Sequence, residues 1–240
     1  MLMDLLKYRL LPKLRRLKYN YSENASVSYS QCGEDLIMRY LLKVLGMDKV
    51  SYLDVGAHHP TYLSNTYLFY KSGGRGVCVE PDPVLFEAFG NKRPQDVHLN
   101  CGVGTSAGWV DFFVMSTSTL STFSREAAER YLSCGQQRIM KTIKIELRVI
   151  NEILEKHFER CPNLVSLDVE GMDYEILDSF DFLKYRPEVF CLETLSYNED
   201  KTEKKLTEII DLMHENDYLT YADTYVNTIF VDKAAWDGRP

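Results

Sequence analysis

The 240-residue chain has no CxxC pair: its six cysteines, Cys32, Cys78, Cys101, Cys134, Cys161 and Cys191, stand at least 23 residues apart. That spacing excludes zinc ribbons and dithiol redox motifs, and it reads as small buried hydrophobes in a reducing compartment. No apolar run approaches the ~18 residues that a membrane-spanning helix needs. The N-terminus also lacks the apolar stretch and small-residue cleavage site of a signal peptide, so a cytoplasmic protein is the expectation. There is no GxGxxG turn, no HxH and no HExxH. Positive charge is not in excess either, with 28 Lys+Arg against 35 Asp+Glu and a net charge of −7, which argues against a protein that coats nucleic acid. Repeats and low-complexity tracts are missing.

What is present is an ordinary globular composition, 45% hydrophobic and 26% charged, on a chain long enough for one large α/β domain. Residues 1–19 differ from the rest, with six bases (Lys7, Arg9, Lys13, Arg15, Arg16, Lys18) against Asp4. Leucines alternate with the bases in a helical rhythm broken by Pro12. The segment reads either as a basic amphipathic stretch in peripheral contact with an anionic membrane, or as a leader helix packing on the domain or a second subunit. Residues 20–29 are small and polar, a linker. The division expected is a basic leader and linker over 1–27 and one domain over 28–240.

Along that domain, short apolar runs alternate with helical stretches. Leu36, Ile37, Tyr40, Leu41, Val44 and Leu45 form one stripe of a first helix that stops at Gly46. Strands are expected at Ser51–Val55, Gly76–Val79, Val97–Cys101, Trp109–Met115, Ile143–Val149, Leu164–Leu167 and Val189–Leu192. Helices are expected around Ser64–Lys71, from Val84, after Ser124, over Ile150–Phe158 and over Met172–Phe180. A charged helix, Lys201–Asn216, then leads to a closing antiparallel pair, Tyr218–Tyr221 and Thr228–Val231. The alternation predicts a mostly parallel sheet with helices on both faces and that pair at an edge.

In such a sheet ligands bind beyond the carboxyl ends of the strands, and acids stand at four of them: Asp54, Glu80, Asp168 with Glu170, and Glu193. Singly, each could be a cap or a fold-stabilising hydrogen bonder; together they lean toward a ligand site. Glu80 follows Gly56 by 24 residues, the placement of an acid that grips the two hydroxyls of a ribose. That suits a nicotinamide dinucleotide or S-adenosylmethionine. The turn Gly56-Ala57-His58-His59-Pro60 carries one glycine and two imidazoles, too bulky for a backbone that must close on a pyrophosphate. The sulfonium cofactor is favoured.

In order along the chain, Ser30-Gln-x-Gly-Glu-Asp35, Tyr52-Leu-Asp-Val-Gly-Ala57, Ser64-Asn-Thr66, Val79-Glu-Pro81 and Leu167-Asp-Val-Glu-Gly171 resemble the FkbM family of S-adenosylmethionine-dependent methyltransferases, over about residues 28–232. The resemblance implies a class I methyltransferase (Rossmann-like) fold with a seven-stranded sheet and an antiparallel edge strand. It also implies O-methylation of hydroxyls, commonly on sugars of envelope glycans or on secondary metabolites. Carried over by position, Asp54, Gly56 and Ala57 line the cofactor, and Glu80 and Pro81 hold the ribose. Asn100, Cys101 and Gly102 lie near the adenine, and Gln31 and Glu34 near the methionine end. Many members carry a second glycine shortly after DVGA, where this chain has His58-His59-Pro60.

A sugar hydroxyl becomes a nucleophile only when its proton is accepted. Glu170 is the preferred base and Asp168 the second candidate, the alternative for Asp168 being a cap on the helix near Met172. His59, like His58, reads equally as a base or substrate contact and as a packing residue. A metal-assisted route has Asp168 and Glu193, with Glu170 and a histidine nearby, holding Mg²⁺ or Mn²⁺ as a Lewis acid. The Ser116–Ser124 loop is expected to cover the acceptor. An O-methyltransferase acting on a carbohydrate hydroxyl leads. A nicotinamide-dependent oxidoreductase, held down by the missing GxGxxG, and a non-catalytic scaffold in glycan assembly are the alternatives.

Overall fold

In the computed structural model, residues 25–133, 135–169, 171–196 and 203–240 are described. The basic leader, Cys134 and Glu170 lie outside them. Among the described residues no helix is long and apolar enough to cross a membrane.

The core is a seven-stranded sheet built from β1 (Ser51–Val55), β2 (Arg75–Val79), β3 (Val97–Leu99), β7 (Leu164–Leu167), β8 (Val189–Glu193), β11 (Tyr218–Asp223) and β12 (Asn227–Asp232). Their spatial order is β11-β12-β8-β7-β1-β2-β3. Pairings from β3 through β8 are parallel. β12 runs against β8, and β11 against β12, so the closing antiparallel pair forms one edge. The reversed strand itself is β12, seated between β8 and the outermost β11.

Both faces are covered, and the two-residue side-chain period divides each strand between them. Leu53, Val55, Phe190 and Leu192 pack with Ile153 and Leu154 of α5 (Ile150–His157), Ile176 of α6 (Asp173–Asp178) and Met213 of α7 (Thr207–Glu215). Tyr52, Cys78, Val189 and Cys191 pack on the other face with Met38 and Leu41 of α1 (Glu34–Val44) and Phe89 of α3 (Pro83–Lys92). A short helix, α2 (Tyr67–Lys71), joins β1 to β2, and α8 (Lys233–Asp237) closes the chain.

Two strands expected within the alternation leave the main sheet. β5 (Gly108–Met115) and β6 (Ile139–Val149) pair antiparallel with each other, and β4 (Gly102–Gly104) lies parallel to β6. This three-stranded sheet is inserted between β3 and β7. The charged stretch after Ser124 forms α4 (Arg125–Ser133). The helix expected from Lys201 begins only at Thr207, because Lys204–Lys205 (β10) pairs with Leu195–Ser196 (β9). The stripe of α1 is also turned: Met38 and Leu42 are buried and Tyr40 is exposed. Glu34 and Asp35 in its first turn are drawn inward by their own hydrogen bonds.

Candidate active site

Strand register sets the site. Val55 pairs with Val79 and with Leu167, and Leu167 pairs with Leu192. The next residue on each strand, Gly56, Glu80, Asp168 and Glu193, therefore stands in one row at the carboxyl rim. All four line a cleft of about 620 Å³. Asp54 lies two rows below, level with Cys78 and Ser166, and it does not reach the cleft. Instead Thr66 donates to its carboxylate, and the Arg93 guanidinium lies 3.8 Å away. Arg93, wholly buried, also donates to Asp96 at 2.8 Å and to Thr66 at 2.9 Å, and Tyr52 donates to Asp96. Burial pushes the Asp54 carboxyl upward against the pull of Arg93. Its expected place beside the cofactor gives way to a buried tie between β1, the Ser64-Asn65-Thr66 segment and the end of α3. Asn65 extends that tie by donating to Ser166 of β7.

Gly56 has φ +76°, and a Cβ there would stand 1.7 Å from the Asp168 carbonyl oxygen. Only glycine lets β1 and β7 approach so closely at the rim. Ala57 is buried in the core, its N–H on Val79, so it supports the turn from behind. Glu80 accepts from the backbone N–H of His58 and of Asp82, both at 2.7 Å. Each carboxylate oxygen keeps capacity for a further donor. Desolvation pushes Glu80 up to about 8 despite those two bonds.

His58 adopts φ +50°, a region costly for a residue with a Cβ. Its N–H holds Glu80, and its Nε2 lies 3.0 Å from Ser118 Oγ in the loop across the cleft. Its Nδ1 is buried without a partner among the described residues, and burial lowers its pKa. His59 does something else: its Nδ1 accepts from the N–H groups of Thr61 and Tyr62 at 3.2 and 3.1 Å. It does not line the cleft, so the candidate base at this position is a turn-stabilising residue.

The Ser-Gln-x-Gly-Glu-Asp segment divides similarly. Asp35 accepts from Ser28, Ser30 and the Tyr29 N–H. Glu34 accepts from Thr224 at 2.7 Å and Asn227 at 3.1 Å, pinning the segment to the β11–β12 turn; against burial, backbone N–H bonds from Cys32 and from Glu34 itself, and then these two, hold its pKa down. Glu34 is therefore an anchor away from the cleft, while Gln31 lines it. Pro81, Cys101 and Gly102 line the other end. Burial raises the Cys101 thiol to about 11, so it acts as a small apolar group. A Cβ on Gly102 would meet the Phe123 ring at 2.4 Å.

Asp168 and Glu193 are neighbours at the rim, and the Glu193 side chain draws the Asp168 pKa down against burial. Burial, with the charges of Asp54 and Glu34, raises Asp168. Asp168 does not cap the following helix. Asp173, the first residue of that helix, instead ties down the turn before it, accepting from Val169 and Gly171 N–H at 3.1 and 3.4 Å, and burial raises it to about 7. Among the described residues no three His, Cys, Asp or Glu side chains converge as metal ligands. Of the candidate ligands, Asp168 and Glu193 both line the cleft, and Glu170 lies outside the described residues.

The Ser116–Ser124 loop expected over the acceptor forms part of the far wall through Thr117, Thr119, Leu120 and Phe123, whereas Gln137, Leu195 and Tyr225, which also line the cleft, were missed by sequence reasoning. The loop is held there because Phe113 and Thr122 exchange backbone bonds at 2.9 and 3.1 Å and Phe112 packs on Phe123. A Tyr-x-x-x-Lys spacing does occur, Tyr67 to Lys71, but neither residue lines the cleft, and Lys71 donates to Tyr29.

A parallel sheet with one reversed penultimate strand, a glycine turn after β1 and an acid after β2 define a class I methyltransferase. The methyltransferase FkbM domain model matches residues 54–220, and the chain belongs to that family. No curated protein matches it in sequence. Among solved structures it is similar to a TehB-like SAM-dependent methyltransferase from Corynebacterium glutamicum (8% identity, 92% of this chain, 97% of that one, TM-score 0.44). It is also similar to an O-methyltransferase from Bacillus cereus in complex with SAH (11%, 95% and 96%, TM-score 0.41). A third is the 1,6-didemethyltoxoflavin-N1-methyltransferase from Burkholderia thailandensis (10%, 96% and 88%, TM-score 0.43).

Proposed function

We propose that this domain transfers a methyl group from S-adenosylmethionine to a hydroxyl of a carbohydrate acceptor. The observation that carries the reading is the charge of the cleft. Its described lining holds Glu80, Asp82, Asp168, Glu193 and Glu203 and no lysine or arginine. An acid-lined cleft attracts a sulfonium and repels the pyrophosphate of a dinucleotide, which sets the nicotinamide reading aside.

The residues present fit the cofactor. Glu80, with its spare acceptor capacity, would take the ribose hydroxyls. Pro81, Cys101 and Gly102 offer an apolar slot for the base, and Gln31 the polar end. When bound there, S-adenosylmethionine would supply an electrophilic methyl for the acceptor oxygen and leave as the neutral thioether. The chain's own contribution is positioning and proton removal. Asp168 and Glu193 both face the cleft, and burial raises Asp168. A carboxylate raised by burial is a stronger base than one in water, so the acceptor proton passes to this pair. Glu170, preferred on sequence, lies outside the described residues. The hydroxyls of Thr117, Thr119 and Ser121 suit a polyhydroxylated acceptor. A cytoplasmic step in building an envelope glycan is the setting this chemistry would serve.

Calorimetric titration with S-adenosylmethionine, S-adenosylhomocysteine and NADH tests the cofactor. The expected outcome is micromolar binding of the first two and none of the third; NADH binding alone overturns the reading. With an acceptor in hand, Asp168→Asn should lower kcat by about 10²-fold or more with S-adenosylhomocysteine affinity kept. Unchanged kcat removes the pair from the chemistry.

A further inference from the structure

Two parts of the fold bound the cleft, and one residue touches both. The rim of the main sheet supplies Glu80, and the loop after β5 supplies the opposite wall. That loop is tied to its own inserted sheet: Phe113 and Thr122 exchange backbone bonds, the Met115 N–H donates to Ser121 Oγ, and Leu120 packs with Phe113 and Met115. Across the cleft, its turn at 117–120 makes one hydrogen bond among the described residues, between Ser118 Oγ and His58 Nε2 at 3.0 Å. The backbone N–H of that same histidine donates to Glu80 at 2.7 Å. Histidine is an unfavourable choice for the place. Its φ of +50° is one that glycine or asparagine adopts more readily, and its buried Nδ1 has no partner among the described residues. Backbone strain and an unpaired buried nitrogen both lower stability, so what the ring contributes is its reach to Ser118.

We infer that His58 is a positioning residue that couples the two walls: with the cofactor's ribose on Glu80 its turn is fixed, its ring then holds Ser118, and the loop is ordered ahead of the acceptor. The inference rests on the methyltransferase reading for what occupies the Glu80 side. Its physical basis is that a contact is easier to make when one partner has already lost its freedom. A ribose on Glu80 immobilises the carboxylate that the His58 N–H binds, so the Ser118 contact has only the loop left to order. By reciprocity, a loop held at Ser118 favours the cofactor.

Amide hydrogen exchange of the full chain, with and without saturating S-adenosylhomocysteine, tests it. The reporters are the Leu120 and Ser121 N–H groups, which close the turn by donating to the Thr117 and Ser118 carbonyls. S-adenosylhomocysteine should slow their exchange about fivefold, the worth of one hydrogen bond. Ser118→Ala, and separately His58→Asn, should abolish that slowing. Asparagine adopts the same backbone region and keeps the N–H on Glu80, but its side chain is too short to reach Ser118. The double variant should lose no more than either single one, because both remove the same contact. Exchange in β7 reports that each variant is folded, and calorimetry reports that it still binds S-adenosylhomocysteine. Full slowing in either variant overturns the inference, and so does S-adenosylhomocysteine binding to the natural chain with no slowing at Leu120 and Ser121. If S-adenosylhomocysteine does not bind the natural chain, the cofactor reading itself falls, so the two failures are distinguishable.

Discussion

Gly56→Ala tests whether close approach at the rim, rather than backbone conformation alone, demands glycine. Gly56 and Gly73 have similar positive φ values, +76° and +92°, but a Cβ at Gly73 meets nothing within 4 Å. Alanine in a left-handed conformation costs roughly 1–2 kcal/mol, and the stabilisation from restricting the unfolded chain applies equally at both sites. The conformational part therefore cancels between Gly56→Ala and Gly73→Ala. What remains at Gly56 is the clash. The Asp168 carbonyl would have to retreat from 1.7 Å to beyond 3.0 Å. Nearby, the Asp168 N–H donates to Val55 and the Gly56 N–H to Val79, each at 3.1 Å. Losing both bonds, at about 1 kcal/mol each, puts Gly56→Ala roughly 2 kcal/mol beyond Gly73→Ala. Urea denaturation of the two variants gives that difference directly, provided the m-values agree. The same displacement carries Asp168 away from Glu193, so S-adenosylhomocysteine affinity and turnover should fall for Gly56→Ala alone. Equal midpoints for the two variants would refute the reasoning.

Arg93→Met removes the buried guanidinium that lies against Asp54 and Asp96, and should destabilise the fold by about 3–5 kcal/mol; a loss below 1 kcal/mol in thermal or urea unfolding would mean that Tyr52 and Thr66 suffice. Glu80 titrates near 8 in the folded chain against roughly 4.3 unfolded. The folded state thus binds the extra proton between those values, and this group's contribution to stability falls as pH rises through that window. A ribose donating to the carboxylate favours the ionised form, so S-adenosylhomocysteine binding at pH 7 should release protons. The calorimetric signal should differ between buffers of different ionisation heat, and Glu80→Gln should abolish that difference. Asp173→Ala leaves the Val169 and Gly171 N–H groups without their acceptor and should cost about 2 kcal/mol, with turnover falling further than S-adenosylhomocysteine affinity; an unchanged turnover would detach the β7–α6 turn from catalysis.

The parallel strands were legible because they are buried on both faces and read as largely apolar runs, such as Val189–Leu192 and, with Ser166 as its one polar residue, Leu164–Leu167. The inserted sheet was legible as strands but not as a separate sheet. Its signal is nonetheless present: in Ile143–Val149, Lys144, Glu146 and Arg148 alternate with apolar residues, the pattern of a strand with one wet face. A strand of that kind fits poorly in the middle of a sheet covered by helices on both sides. The short pairing of Lys204–Lys205 with Leu195–Ser196 carries no such pattern, since two-residue contacts leave almost no trace in composition.

The site was legible to the extent that its residues share a register. Gly56, Glu80, Asp168 and Glu193 each follow the last residue of a paired row, and each was picked out as a strand-end residue. Asp54 was picked out with them, yet it sits two rows lower and ends in a salt-bridged core. Two residues of sequence separate it from Gly56, and only the pairing of Val55 with Val79 and Leu167 shows which of the two reaches the rim. Glu34 and His59 were misplaced for a related reason. Their partners are Thr224 and Asn227 in one case and the Thr61 and Tyr62 backbone in the other, and polar residues in loops carry no periodicity to show which way they face. A second cavity, beside that cleft, is harder again. Its wall combines a loop after β5, a helix after that loop and two helices later in the chain, brought together only by the insertion of β4–β6. Nothing local in Glu126, Glu175 or Glu208 distinguishes them from ordinary surface acids. Their convergence on one opening is a property of the fold, which no local pattern in the sequence announces.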